Sequence, residues 1–161
     1  MPEITYSERE YQKHKKEIQN KGKDFNLYRT NYRNELSYIS RVLLTQKYGR
    51  KHMNLFLKDF SFYWHESVDY VYSLLKGDKN HLSLYYAVII AIGILDDYYD
   101  ALLLIEAAGF PFNNLEYNIL KEFLGKVYSI DNLNKMSIRE RVSLKETLLC
   151  KQKQKELNAL F

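Results

Sequence analysis

The longest apolar stretch of the chain, Leu82 to Leu95, has fourteen residues without a charge and leads directly into Asp96, Asp97 and Asp100. A surface helix keeps one polar face for water, so a segment that is apolar on all sides is enclosed by the rest of the protein. A membrane span needs about 20 mostly apolar residues, and extending this stretch to that length would place three aspartates in lipid. The pattern therefore predicts a buried central helix, Leu82 to Ala108, and no membrane span.

Apolar side chains at three- and four-residue spacing predict helices along the rest of the chain. Capping boxes, Ser7 with Glu10 and Ser137 with Glu140, mark two helix starts. Glycine-containing turns end four of the segments. The predicted core stripes include Tyr28 in the second helix and Leu115 in the fifth. The six predicted segments are Ser7 to Asn20, Phe25 to Tyr48, His52 to Lys76, Leu82 to Ala108, Asn113 or Asn114 to Tyr128, and Ser137 to Leu160.

Length and composition agree with one all-α domain over residues 1–161. Hydrophobic residues make up 46% of the chain and aromatic residues 15%, which excludes a disordered chain. Cys150 is the only cysteine, so the chain contains no internal disulfide. Because no apolar signal segment is seen at the N-terminus, we expect a cytoplasmic location.

The net charge of +4 lies in residues 135–156, where seven basic side chains face three acidic ones. Such a basic segment suits an acidic partner or nucleic acid. It lacks interleaved aromatic residues, however, and a solvated helix face explains it more simply. No nucleic-acid partner is expected.

The acidic residues offer two hypotheses of metal binding. Within one helix, Asp96 and Asp100 would lie one turn apart and could share a divalent cation, as in the D-D-x-x-D site of class I prenyl-diphosphate enzymes. The plainer interpretation is that the helix leaves the core at Asp96. We therefore predict no metal site, and whether these aspartates bind metal stays open.

A wider acidic set adds Glu66 and Asp69 to Asp97 and Asp100, on two successive predicted helices. This set resembles the paired acidic motifs of all-α nucleotide pyrophosphatases of the dUTPase type. The resemblance implies Mg²⁺ held against a triphosphate. It provides the enzymatic alternative to a binding function.

The histidines suggest little chemistry, because His14, His52, His65 and His81 lack the i, i+4 spacing of a zinc site. Arg9 and His14 have an R-x4-H spacing that is found in helical ribonuclease toxins, but a spacing of this kind often arises by chance.

Arg41 is a permanent cation among apolar neighbours, so burial would require an anion beside it. A ligand carboxylate, one of the protein's carboxylates or solvent could each serve. Trp64 and His65 belong to an aromatic stretch that could surround a ligand or simply pack. Together with Tyr38, these three residues are the predicted ligand-binding set, and no catalytic residue is predicted.

The sequences Val142 to Lys145, Glu156 to Leu157 and Ala91 to Leu95 resemble the exit helix and a central helix of non-haem globin-like bacterial sensor domains. These occur in regulators of sporulation and stress in Bacillus-type bacteria. The resemblance implies a globin-like fold and a homodimer built through the C-terminal helices. It also implies an apolar cavity for a fatty acid whose carboxylate meets Arg41. Haem is not expected, because His81 is only marginally placed as its ligand.

The function predicted on this basis is a non-catalytic sensory or regulatory domain. It would hold an apolar ligand such as a fatty acid and compete for ligand or partner with a signalling protein. The alternatives are the magnesium-dependent pyrophosphatase and a helical inhibitor that acts by protein interaction. The sequence leaves the ligand, the signalling partner and the existence of a cavity open.

Overall fold

The computed structural model describes residues 3–49, residue 75 and residues 82–161, and it is all-α over these ranges, with no strand. Six of the α-helices have ten residues or more, which confirms the predicted fold class. Three 3₁₀ turns, at Arg29–Asn31, Leu115–Tyr117 and Leu133–Lys135, connect them. The α-helices are α1 Glu8–Asp24, α2 Glu35–Tyr48, α3 Leu84–Ile94, α4 Tyr98–Ala107, α5 Asn118–Tyr128, α6 Ile138–Val142, α7 Leu144–Leu148 and α8 Lys151–Leu160.

Helices α3 and α4 form the centre of the described structure. Helix α3 packs against α4 and α6. Helix α4 also packs against α1, α2 and α5, and α5 in turn packs against α7 and α8. Nearly every residue of α3 is buried, in agreement with the predicted enclosure of the apolar stretch. Among the helices of the described ranges, none combines the length and the apolar character that a membrane crossing requires.

The predicted single central helix is wrong, because the chain leaves the helical conformation at Leu95 and re-enters it at Tyr98. Leu95 has an extended backbone, and the Asp97 side chain accepts hydrogen bonds from the N–H groups of Tyr99 and Asp100. This N-cap starts a new helix at the point where the acidic residues begin. We call residues 95–97 the α3–α4 junction.

The first two predicted helices have different limits in the structure. Helix α1 continues through Gly22 to Asp24. The glycine lets α2 approach closely, since a Cβ at Gly22 would clash with the Tyr38 hydroxyl. Helix α2 begins only at Glu35, after Asn34, whose side chain forms a capping box with Ser37. Residues 26–34 are therefore largely non-helical, and Tyr28, predicted to be buried, is 56% exposed.

The C-terminal third also differs from prediction. The Ser137–Glu140 capping box is confirmed, but the helix it starts ends at Val142, and two further short helices follow. The predicted continuous exit helix is therefore wrong. Leu115 belongs to a 3₁₀ turn ahead of α5 and is 78% exposed instead of facing the core. Within the predicted helix from His52 to Lys76 only Leu75 is described, and it is helical and buried as expected; the rest lies outside the described residues.

Candidate functional site

The α3–α4 junction separates the three aspartates that one helix was expected to align. Asp96 lies between the helices, Asp97 caps α4, and Asp100 lies in the first turn of α4. Asp96 faces α2 and α6, whereas Asp97 and Asp100 face α1. The hypothesis that Asp96 and Asp100 share one cation is therefore not supported, because the two carboxylates contact different partners.

Arg141 of α6 is the buried arginine of the described structure, with 3% of its surface exposed. One guanidinium nitrogen donates to the carbonyls of Ile92 and Leu95, at 3.3 and 3.1 Å. The other donates to Asp96 Oδ1 at 2.6 Å and to the Leu133 carbonyl at 2.8 Å. The last carbonyls of a helix lack partners within that helix and carry partial negative charge, so a cation there stabilises the helix end. Arg141 thus fixes the point where α3 stops.

Two further side chains complete this side of the junction. Lys47 of α2 lies 3.4 Å from Asp96 Oδ2 and donates to the Ile94 carbonyl. The buried Tyr128 hydroxyl donates to the Ala91 carbonyl at 3.1 Å. We call Asp96 with Arg141 and Lys47 the Arg141 side of the junction, and its contacts serve the fold.

His14 of α1 faces the opposite side of the junction. Its Nε2 lies 2.5 Å from Asp100 Oδ1 and 3.6 Å from Asp97 Oδ2, while Nδ1 lies 3.9 Å from Glu17 Oε2. Asp100 is 6% exposed, and Tyr99 packs its ring against the imidazole with centroids 5.9 Å apart. We call His14 with Asp97 and Asp100 the His14 side. It joins α1 to the start of α4.

The protonation of His14 depends on two opposing effects. Burial by itself lowers the pKa of the imidazole, because it disfavours the charged form. The hydrogen bond to Asp100 and the charges of Asp100, Asp97 and Glu17 act in the opposite direction, and together they raise the pKa above its ordinary value of 6.5. His14 therefore binds a proton more readily here than in an unfolded chain.

A cleft of about 360 Å³ opens between α1, α2 and α4, further along α4. Arg29 forms an ion pair with Glu35 at one wall, and Lys15 Nζ lies 3.8 Å from Glu106 Oε2 at the other. We call this the charged cleft. The residues that line it are Lys15, Gln19, Arg29, Glu35, Ile39, Leu103, Glu106 and Ala107.

Tyr11 fixes one of the carboxylates in the charged cleft. Its ring is 1% exposed, and its hydroxyl donates a hydrogen bond to Glu106. Burial, followed by the hydrogen bond to Glu106 and the charge of that residue, raises the pKa of Tyr11 well above its ordinary value. Glu106 therefore keeps a neutral hydroxyl donor on one side while it faces the cleft on the other.

The predicted ligand-binding residues do not meet at this cleft. Arg41 is half-buried on α2, and Tyr38 is buried on the same helix with its ring 5.6 Å from that of Tyr32. Neither residue lines the charged cleft. Trp64 and His65 lie outside the described residues.

Two other predictions also fall on residues outside the described ranges. These are the first acidic motif of the pyrophosphatase alternative, Glu66 with Asp69, and the haem ligand candidate His81. The second acidic motif is described, and both of its carboxylates, Asp97 and Asp100, face His14. Arg9 is exposed near the start of α1, while His14 is turned towards the α4 carboxylates.

Sequence reasoning missed the part played by Arg141, which it treated as one cation of a solvated basic segment. It considered His14 only among histidines without zinc spacing and as part of a ribonuclease spacing. In both cases the partner lies far along the chain, 45 residues from Arg141 and 86 from His14. Only a short signal existed locally: Asp97 is an N-cap residue type directly after an apolar segment.

Comparison with protein families, with curated proteins and with solved structures gives no match to this chain.

Proposed function

We propose that this chain is a non-catalytic ligand-binding protein whose charged cleft takes a small zwitterion, such as an amino acid or a short peptide. The observation that carries the proposal is that three helices and the 3₁₀ turn Arg29–Asn31 place two cations and two carboxylates around one space of about 360 Å³. That volume falls at the lower end of the range of about 300–1,000 Å³ typical of small-molecule sites.

The ion pairs of the cleft are able to exchange partners. The Arg29 side chain is 63% exposed, and an ion pair at such exposure is worth only about 0.2–1 kcal/mol. Lys15 Nζ lies 3.8 Å from Glu106, beyond hydrogen-bond distance. A zwitterion that enters between these groups re-pairs each charge instead of leaving one unpaired.

Arg29 is the natural anchor for the ligand carboxylate. A guanidinium group presents two parallel N–H donors that match a carboxylate, which a lysine ammonium cannot do. Glu35 or Glu106 would then accept from the ligand's ammonium group. In this proposal Arg29 takes the anchoring role that was predicted for Arg41.

The floor of the cleft favours a ligand with a short apolar part. Ile39 is 1% exposed and Leu103 is 2% exposed, so little apolar surface is open to a guest. A long acyl chain gains affinity in proportion to the apolar area it buries. We therefore expect a zwitterion to bind this cleft more tightly than a fatty acid.

A titration of the full chain, followed by amide NMR shifts, tests this proposal. The panel contains amino acids, dipeptides, and their analogues that lack either the carboxylate or the ammonium group. We expect saturable shifts at the cleft residues for zwitterions. Affinity for each singly charged analogue should be at least about tenfold weaker, which corresponds to about 1.4 kcal/mol.

Arg29→Gln is the informative variant, because it removes the guanidinium from an exposed position of the cleft. Arg33→Gln, an exposed arginine four residues away that does not line the cleft, is the matched control. The proposal fails if no zwitterion binds, or if Arg29→Gln binds as tightly as Arg33→Gln.

Ligand capture without turnover suits the sensory role that the globin-like resemblance implies. That role, the C-terminal homodimer and the competition with a signalling protein stay predictions. The pyrophosphatase alternative has its own test, turnover of a nucleotide panel with Mg²⁺, in which Asp97→Ala would abolish activity.

A further inference from the structure

We propose that His14, Asp97 and Asp100 form a binding site for a first-row divalent transition-metal ion, with Zn²⁺ as the reference ion. One imidazole nitrogen and two carboxylate oxygens converge here from two helices, and these three atoms lie within 4.8 Å of one another. The site uses none of the residues that line the charged cleft. It therefore stands or falls independently of the proposed zwitterion.

The distances suit a metal after a small adjustment. Zinc binds histidine nitrogen at about 2.0–2.1 Å and carboxylate oxygen at about 2.0–2.2 Å, so tetrahedral ligand atoms lie about 3.4 Å apart. His14 Nε2 and Asp97 Oδ2 are 3.6 Å apart, close to that spacing. His14 Nε2 and Asp100 Oδ1 are 2.5 Å apart, a hydrogen-bond distance. An ion replaces the proton that His14 shares with Asp100 in this hydrogen bond. The two side chains then have to move apart by about 1 Å.

The donor set determines the class of ion. Imidazole together with carboxylates suits Zn²⁺, Mn²⁺, Co²⁺ and Fe²⁺, whereas Mg²⁺ and Ca²⁺ prefer oxygen ligands alone. The Asp97 side chain is 54% exposed, so one side of the site is open to solvent. Three protein ligands and an open position are the arrangement in which water completes the coordination of zinc.

The surroundings hold the ligands in place. Asp97 Oδ2 already accepts from the N–H groups of Tyr99 and Asp100, at 3.0 and 3.1 Å, which fixes the carboxylate. His14 Nδ1 faces Glu17 at 3.9 Å, on the side where metal-bound histidines usually find a hydrogen-bond partner. Asp96 takes no part, because Arg141 holds it on the other side of the junction.

Calorimetric titration of the full chain with Zn²⁺, after removal of metal by a chelator, tests the proposal. The same titration with Co²⁺ gives a ligand-field spectrum that reports nitrogen and oxygen coordination. We expect saturable binding of a single ion at His14. His14→Ala should weaken it by more than the 10–100-fold that follows the loss of an outer-shell partner.

Asp97→Ser separates metal binding from folding, because serine caps a helix as well as aspartate but supplies no carboxylate. We expect it to fold normally and to lose at least about tenfold in Zn²⁺ affinity. Glu10→Gln is the matched control, since it removes an exposed carboxylate one turn before His14 on α1. Its affinity should equal that of the wild type.

Two results would overturn the proposal. One is an absence of saturable Zn²⁺ and Co²⁺ binding by the wild-type chain. The other is binding that keeps wild-type affinity in His14→Ala and Asp97→Ser, which would place the ion elsewhere. Neither result affects the zwitterion titration, because Arg29 and Lys15 are unchanged in all of these variants.

Discussion

The two sides of the α3–α4 junction present carboxylates that are neighbours in sequence but have opposite chemical surroundings. Asp96 contacts two basic side chains, Arg141 and Lys47. Asp97 and Asp100 contact His14, whose charge changes near neutral pH. The helix that packs against each carboxylate therefore decides its role. One side fixes the fold, and the other is able to exchange a proton for another cation.

Arg141→Met should give the largest effect on the Arg141 side. It removes the donors to the Ile92 and Leu133 carbonyls and leaves Asp96 without its closest cation. Asp96 is 41% exposed, so the loss comes mainly from the buried hydrogen bonds of the charged guanidinium, which contribute about 1.5–3 kcal/mol each. Urea unfolding measures the loss. Arg139→Met, at an exposed position of the same helix, is the control and should stay within about 0.5 kcal/mol. Equal stability of the two variants would remove the distinction between the sides.

Asp100→Ala should give the largest stability effect on the His14 side. It removes a buried carboxylate that bonds to His14, and hydrogen bonds to charged groups contribute about 1.5–3 kcal/mol. Glu156→Ala, which removes an exposed carboxylate from α8, serves as the comparison. If Asp100→Ala were as mild as Glu156→Ala, the His14 contact would not hold α1 against α4.

Asp97 should show a smaller effect that depends on the replacing residue. Asp97→Ala removes the acceptor for two N–H groups at the start of α4 and should cost about 1 kcal/mol. Asp97→Ser keeps an acceptor and should be nearly neutral in metal-free buffer. Denaturant midpoints of the two variants test this difference, and a serine variant as unstable as the alanine variant would argue against a capping role.

The smallest expected effect is a pH dependence confined to the His14 side. Because the folded protein raises the pKa of His14 above 6.5, its stabilising charge is fully present below about pH 6.5 and is lost as the pH rises through the raised value. The groups that face it are Asp97, Asp100, Glu17 and the Tyr99 ring.

His14→Gln tests this pH dependence, because glutamine keeps a donor for Asp100 but does not titrate. The free energy of unfolding is measured with a chelator present, from below pH 6.5 upwards. It should fall with rising pH in the wild type and fall less in the variant. Parallel curves for the two proteins would contradict the assignment.

Local signals in the sequence predicted helix ends better than helix continuity. Ser7 caps α1 through the serine half of its predicted capping box, and the Gly49 stop and the Ser137–Glu140 capping box appear as expected, because each depends on residues within one turn. The break at Leu95 could not be predicted in the same way. The residues before it are apolar, and the Arg141 side chain that binds the freed carbonyls comes from 46 residues further on.

The candidate sites, like the break at Leu95, depend on contacts between residues that are distant in sequence. An acidic motif is visible in a sequence, but whether Asp100 meets Asp96 or His14 depends on how α1 packs against α4. The basic segment 135–156 also looked uniformly solvated, although α6 turns Arg141 inward while Arg139 stays exposed. Burial of one cation out of seven is a tertiary property that composition does not contain.

The most direct test of the difference between the two sides is a crystal grown with Zn²⁺ and measured at the zinc absorption edge. We predict an anomalous peak within bonding distance of His14 Nε2 and the carboxylates of Asp97 and Asp100, with Asp96 still bound to Arg141. A peak at Asp96, or an unoccupied His14 side at a zinc concentration that saturates the protein in solution, would contradict the account.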